Sequence, residues 1–176
     1  MTIFRQIVVA AVIATFLGCS STRGEIHRDP SFNYSDLRTF NWHPPQKDAQ
    51  ALSELVTRRI QRAVQQELEA KGYVMSPEQP DFLVDFYGWI EDKIETENFG
   101  YEDVRKKPQW IDREPSTTQY REGTLILDCF DAASDEIFWR GSINKVIDNP
   151  SPTPEQSEKA IGDAVAQILE RFPARK

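Results

Sequence analysis

Cysteine is nearly missing from this chain: 176 residues hold two, Cys19 and Cys129. Two thiols cannot make a disulfide framework, and no Cys-x-x-Cys spacing offers a metal site or a redox pair. Histidine is as scarce. His27 lies beside a polar N-terminal stretch and His43 precedes a double proline, so neither is placed with a nucleophile or metal ligand and both read as solvated side chains. Gly-x-Ser-x-Gly, a phosphate-binding glycine loop and His-Glu-x-x-His are all absent. Asp128 and Asp131 are three residues apart in an extended stretch, so they point to opposite faces and suit shared acid-base work poorly. These gaps argue against an enzyme, and no cofactor or bound metal is expected. Also missing is a bilayer-spanning run, which needs roughly 20 apolar residues. Basic stripes are missing too: 28 acidic residues face 21 basic ones, and the one cationic run, Arg105-Lys106-Lys107, follows Glu102 and Asp103. Nucleic acid is therefore not an expected partner.

What is present begins with a leader. Met1 to Leu17 carries one cation, Arg5, and then eleven uncharged residues from Ile7, the form of a secretory signal's apolar segment. Phe16-Leu17-Gly18-Cys19-Ser20 comes next and resembles the lipobox of bacterial lipoproteins, in which the cysteine sulfur receives diacylglycerol and becomes the mature N-terminus. Phe16 and Leu17 stand where leucine and a small residue are usual. The alternative is an unlipidated leader cleaved after Gly24, where Thr22 and Gly24 satisfy the small-residue rule. The lipobox reading divides the chain into a signal peptide over 1–18, a lipidated tether over 19–25 and one globular domain over 26–176. It also makes the membrane a partner through Cys19, and Ser20 in place of an aspartate points to the periplasmic side of the outer membrane. Cys129, left without a partner in an apolar stretch, reads as a small buried hydrophobe. Loss of Arg5 takes the formal charge from −7 to −8.

At 39% hydrophobic and 28% charged, the remainder suits a single core. Thr39 to Trp42 reads as a short strand ended by Pro44-Pro45. From Asp48, a candidate N-cap, to Lys71, the residues Leu52, Leu55, Val56, Ile60, Ala63, Val64 and Leu68 form one stripe at helical period, and Gly72 with Tyr73 has the form of a Schellman stop. Asp81 to Glu95 alternates as a long strand, with Phe82, Val84, Phe86 and Ile90 on one side and Leu83, Asp85, Tyr87 and Trp89 on the other. Thr96 to Glu122 shows no periodicity and reads as a long loop carrying Trp110 among other aromatics. Gly123 to Gly141 reads as a hairpin turning at Ala132 to Glu136, with Asp128 opposite Arg140, Cys129 opposite Trp139 and Phe130 opposite Phe138. Thr153-Pro154-Glu155-Gln156 is a capping box with proline at the first helical position. It opens a helix with the stripe Ile161, Ala164, Val165, Ile168 and Phe172. The expected fold is α+β: a largely antiparallel sheet with two amphipathic helices packed on one face, in the order β, α, β, β, β, α.

Gly123-Thr124-Leu125 followed by Asp128, then Trp139-Arg140-Gly141, resembles the bacterial lipoprotein family called domain of unknown function 4136. The Asp29-Pro30, Tyr34-Ser35 and Thr39-Phe40-Asn41-Trp42 series resembles the opening motif of that family, and the closing Phe172-Pro173 its end. The resemblance covers most of the mature chain. It implies an envelope protein and favours no particular activity.

The sheet face away from the helices would then collect Asp85, Tyr87, Trp89, Ile126, Asp128, Phe130, Phe138 and Arg140. With Trp110 from the loop, Asp85, Tyr87, Trp89, Asp128 and Arg140 form a candidate interaction surface, because aromatics and arginine are favoured at interfaces. A second, smaller core under the loop is the alternative. The functional expectation is a non-catalytic, lipid-anchored envelope protein that binds or scaffolds a partner in the periplasm. The other candidate is a carrier of a small apolar ligand or lipid, with a cavity between sheet and loop. A dry pocket of several hundred Å³ would favour the carrier.

Overall fold

A computed structural model describes residues 23–44, 52–96, 117–147, 149 and 151–175. Six strands form one sheet: β1 (Arg23–Arg28), β2 (Thr39–Trp42), β3 (Val74–Met75), β4 (Phe82–Thr96), β5 (Thr117–Asp131) and β6 (Ile137–Val146), in the spatial order β1-β6-β5-β4-β2-β3. Two helices, α1 (Glu54–Ala70) and α2 (Pro154–Leu169), complete the α+β fold. The sheet is antiparallel from β1 to β4, whereas β2 runs parallel to both β4 and β3.

Both helices lie on the face that carries Phe82, Val84, Leu127, Cys129, Trp139 and Ile143, and they close a core that includes Ile60, Val64, Leu68, Val165, Ile168 and Phe172. Each helix is fixed at its ends by its own sequence. Ser53 caps α1, so that helix starts later than the stripe suggests, and Asp48 lies outside the described residues. Its end is a Schellman motif: Gly72 has φ +92, its N–H donates to the Glu69 carbonyl, and the Tyr73 N–H donates to the Leu68 carbonyl at 3.0 Å. Thr153 and Gln156 make the reciprocal capping box at the start of α2, with Pro154 at the first helical position.

Several sequence expectations are corrected. Arg23 to Glu25, read as tether, belong to β1 and pair with Ser142 to Asn144 on β6. That stretch is polar, as befits an edge strand whose charges discourage further pairing, and polarity hid it. β3 is also additional. It is two residues long, too short for any periodicity, and is held by its pairing with β2. The loop expected over 96–122 loses its last six residues to β5, which starts at Thr117. Beyond Glu122, where β6 ends, β4 and β5 continue as a two-stranded ribbon. Trp110 and the Arg105 to Lys107 run lie outside the described residues.

The hairpin turns over Ala132 to Glu136 as expected, and Asp128 meets Arg140 and Cys129 meets Trp139. One pair differs. A bulge after Cys129 sets Phe130 opposite Ile137, not Phe138, and Phe138 turns into the helix-side core. There it stacks on Phe32 at 4.0 Å between centroids and meets Phe82 edge-on at 6.1 Å. An extra residue in one arm reverses the facing of the side chains beyond it, and no residue type announced it.

Candidate functional site

The sheet face away from the helices brings five of the six residues of the candidate surface together. Register places Asp85 directly across from Asp128, and Tyr87 across from Ile126. Asp128 is wholly buried. Arg140 Nε and Nη2 donate to its two carboxylate oxygens, each at 2.6 Å, in a bidentate fork. Tyr87 Oη donates to Asp85 Oδ2 at 2.8 Å, and the Phe86 N–H donates to Asp85 Oδ1. Burial, followed by that bond to a carboxylate, pushes the Tyr87 hydroxyl up to about 12. Trp89 Nε1 donates to Glu91. Two carboxylates facing each other across a ladder repel, and here each is answered by its own donor. The cluster is thus closed on itself.

His43 adjoins this face, which the sequence did not indicate. Its side chain is 12% exposed and lies 4.6 Å from the Phe130 ring, so the solvated reading is wrong. Nε2 is 2.9 Å from Asp135 Oδ1 and Nδ1 is 3.0 Å from the Pro44 carbonyl. Both partners are acceptors, so the doubly protonated ring satisfies both. Burial alone would lower the pKa of His43, but the bonds to Asp135 and Pro44 outweigh it and the net direction is upward. His27 is exposed on β1. Cys129 is buried, and burial raises its thiol well above the ordinary range. Cys19 lies outside the described residues. Among the described residues no group of three or more side chains could hold a metal ion, and no helix is long and apolar enough to cross a membrane.

The second candidate site is on the helix side. The described residues bound an open cleft of about 660 Å³ between the sheet and the N-terminal halves of the two helices, walled mainly by apolar side chains such as Leu52, Val56, Ile60, Ile143, Ile147 and Ile161. Residue size accounts for it. At the other end of the layer, Phe40, Tyr73, Phe82, Phe138, Trp139 and Phe172 fill the space between helices and sheet. At the cleft end the strands present Gly88 and Gly123, and α2 presents Ala160 and Ala164. Glycine opposes Leu125 and Ile90 in the ladder, so at two helix-side positions the β4–β5 pair carries only one side chain. A smaller cleft of about 290 Å³ adjoins it across Ile143, between β1 and α2. Among the described residues, an apolar cleft of several hundred Å³ thus lies under the helices, and the long loop is outside the described residues. The cleft's sequence signal was the pair of glycines inside strands, which marks a weak or closely approached stretch.

No curated protein matches the chain in sequence. Among solved structures, a PDZ domain protein from Parabacteroides distasonis superimposes at a TM-score of 0.56 with 11% identity, over 89% of this chain and 36% of that one. The present chain thus spans about a third of that protein's length. The PelC dodecamer from Paraburkholderia phytofirmans superimposes at a TM-score of 0.51, also with 11% identity, over 88% of this chain and 99% of that one. Such likenesses establish the fold alone. A model of the domain of unknown function DUF4136 matches residues 25–174, and the chain belongs to that family.

Proposed function

We propose that this is a non-catalytic, lipid-anchored envelope protein that takes an apolar chain into the cleft beneath its helices. The observation that carries the reading is the cleft itself. Its volume of about 660 Å³ and its apolar walls fall in the range of sites that hold small ligands, about 300 to 1,000 Å³. Anchoring rests on the lipobox-like Phe16-Leu17-Gly18-Cys19, and the periplasmic face of the outer membrane on Ser20. Scaffolding through the opposite face has less support, because Asp85, Tyr87, Asp128 and Arg140 spend their polar groups on one another.

Two measurements test this. Replacing Cys19 by Ser should move the protein from the membrane to the soluble fraction, and an unchanged membrane fraction defeats the anchor. The chain from Ser20 onward, made without its leader, should bind cis-parinaric acid saturably and near one to one. Ala160→Trp, which fills the cleft from an exposed helical position, should abolish that binding. Non-saturable uptake, or equal uptake by the variant, defeats the cleft as the site.

A further inference from the structure

We infer that the cleft opens toward the membrane that carries the anchor, and that its occupant is an acyl chain of a phospholipid from that bilayer. This rests on the reading of a lipid-anchored binding protein and names its ligand and orientation. Chain direction supplies the first argument. β1 enters the sheet at Arg23, paired with Asn144, and the residues after Asn144 on β6 and just beyond it, Lys145 to Ile147, are walls of the cleft. Cys19 is four residues upstream of Arg23, a reach of at most about 14 Å. The anchor therefore holds the cleft end of the domain, and not the aromatic end, against the lipid.

The distribution of exposed apolar residues supplies the second. Ile90, 57% exposed, and Ile94, 66% exposed, are on the helix-side face of β4, Ile94 within the β4–β5 ribbon and Ile90 just before it, and Leu55, 53% exposed, is on the first turn of α1. Ile90 is itself a cleft wall, and Leu55 is flanked by the cleft residues Ser53 and Val56. Among the described residues, three of the five large exposed hydrophobic side chains thus rim one end of the domain. A two-stranded ribbon has little stability of its own in water, and an isoleucine on its surface, here Ile94, gains from an apolar neighbour. Charge argues against an electrostatic alternative. A mature chain with a formal charge of −8 is repelled, not attracted, by anionic headgroups, so its contact with lipid should not weaken as salt is raised.

Growing the producing cells on a fatty acid that carries a diazirine loads both phospholipids and protein-linked lipid with a photocrosslinker. Irradiated membranes holding the full lipidated protein are then digested and the adducts located by mass spectrometry. The inference expects phospholipid adducts on the peptides that contain residues 52–60, 143–147 and 157–164. Ala160→Trp should reduce them about tenfold while the protein stays membrane-bound, and Lys145→Trp, at a cleft wall opposite Gly123, should do the same from the sheet side. Adducts joining those peptides to the protein's own N-terminal lipopeptide would overturn the inference in favour of the anchor as occupant. Adducts confined to Leu55, Ile90 and Ile94, with parinaric acid still bound by the leaderless chain, would overturn the occupant and leave the cleft as an apolar site. Absence of both adducts and parinaric acid binding would overturn the inference together with the function it rests on.

Discussion

Arg140 holds Asp128 by a two-point fork at 2.6 Å, yet the two sides of the pair are unequal: the carboxylate is fully buried, and the arginine side chain is 44% exposed. Removing one partner therefore differs from removing the other. Arg140→Met leaves a buried carboxylate unpaired and facing Asp85, and should cost about 3 kcal/mol or more. Asp128→Asn leaves an arginine that can reach water, and should cost about 1 kcal/mol. Urea unfolding of the two single variants and the double variant checks this. The expected coupling lies between about 0.5 and 3 kcal/mol, and equal single costs with no coupling would contradict the asymmetry.

Gly141 is fixed by its neighbours. A Cβ there would stand 2.5 Å from Ile168 Cγ2 and 2.5 Å from Trp139 Cη2, both in the core. Gly141→Ala should lower stability by about 1 to 3 kcal/mol, the range for overpacking. Gly24→Ala, whose Cβ would meet the Ser142 carbonyl at 3.5 Å, is the control and should be tolerated. The midpoints of urea unfolding compare the two.

His43 gives a pH dependence. Its folded pKa is raised above the ordinary histidine value by Asp135 and the Pro44 carbonyl, against burial. A raised folded pKa means that the stabilisation is complete below the unfolded pKa, about 6.5, and is lost as pH rises through the folded value. The thermal midpoint should therefore fall between about pH 5.5 and about pH 8 by more in the native protein than in Asp135→Asn. Asparagine suits the test because residue 135 has φ 60, a left-handed conformation that asparagine accepts. An identical pH profile in the variant would show that the contact carries no charge.

Cys129 should be silent toward thiol reagents. It is buried, and its thiol is raised well above the ordinary range, so neither access nor thiolate is available. Labelling with a maleimide in native buffer should be negligible at the pH where free cysteine reacts fully, and should appear together with the urea unfolding transition. Earlier labelling would mean that β5 and β6 part before the core melts.

Local chemistry decided much of this protein by itself. The stop at Gly72 and Tyr73, the capping box at Thr153, the alternation of β4 and the pairing of Asp128 with Arg140 depend on residues within a turn or a hairpin of each other, so composition and spacing specify them. The family was likewise legible, in the Gly-Thr-Leu and Trp-Arg-Gly arms. Tertiary structure decided the rest. Arg23 to Arg28 is a strand only because β6 offers it an edge, and Phe138 joins the core only because a bulge turns it there beside Phe32 and Phe82. Asp85 faces Asp128, and His43 meets Asp135, across separations of 43 and 92 residues, which no local pattern records. The cleft is the clearest case. It arises where Gly88, Gly123, Ala160 and Ala164, from three elements, meet at the end of the layer that the aromatic residues do not reach.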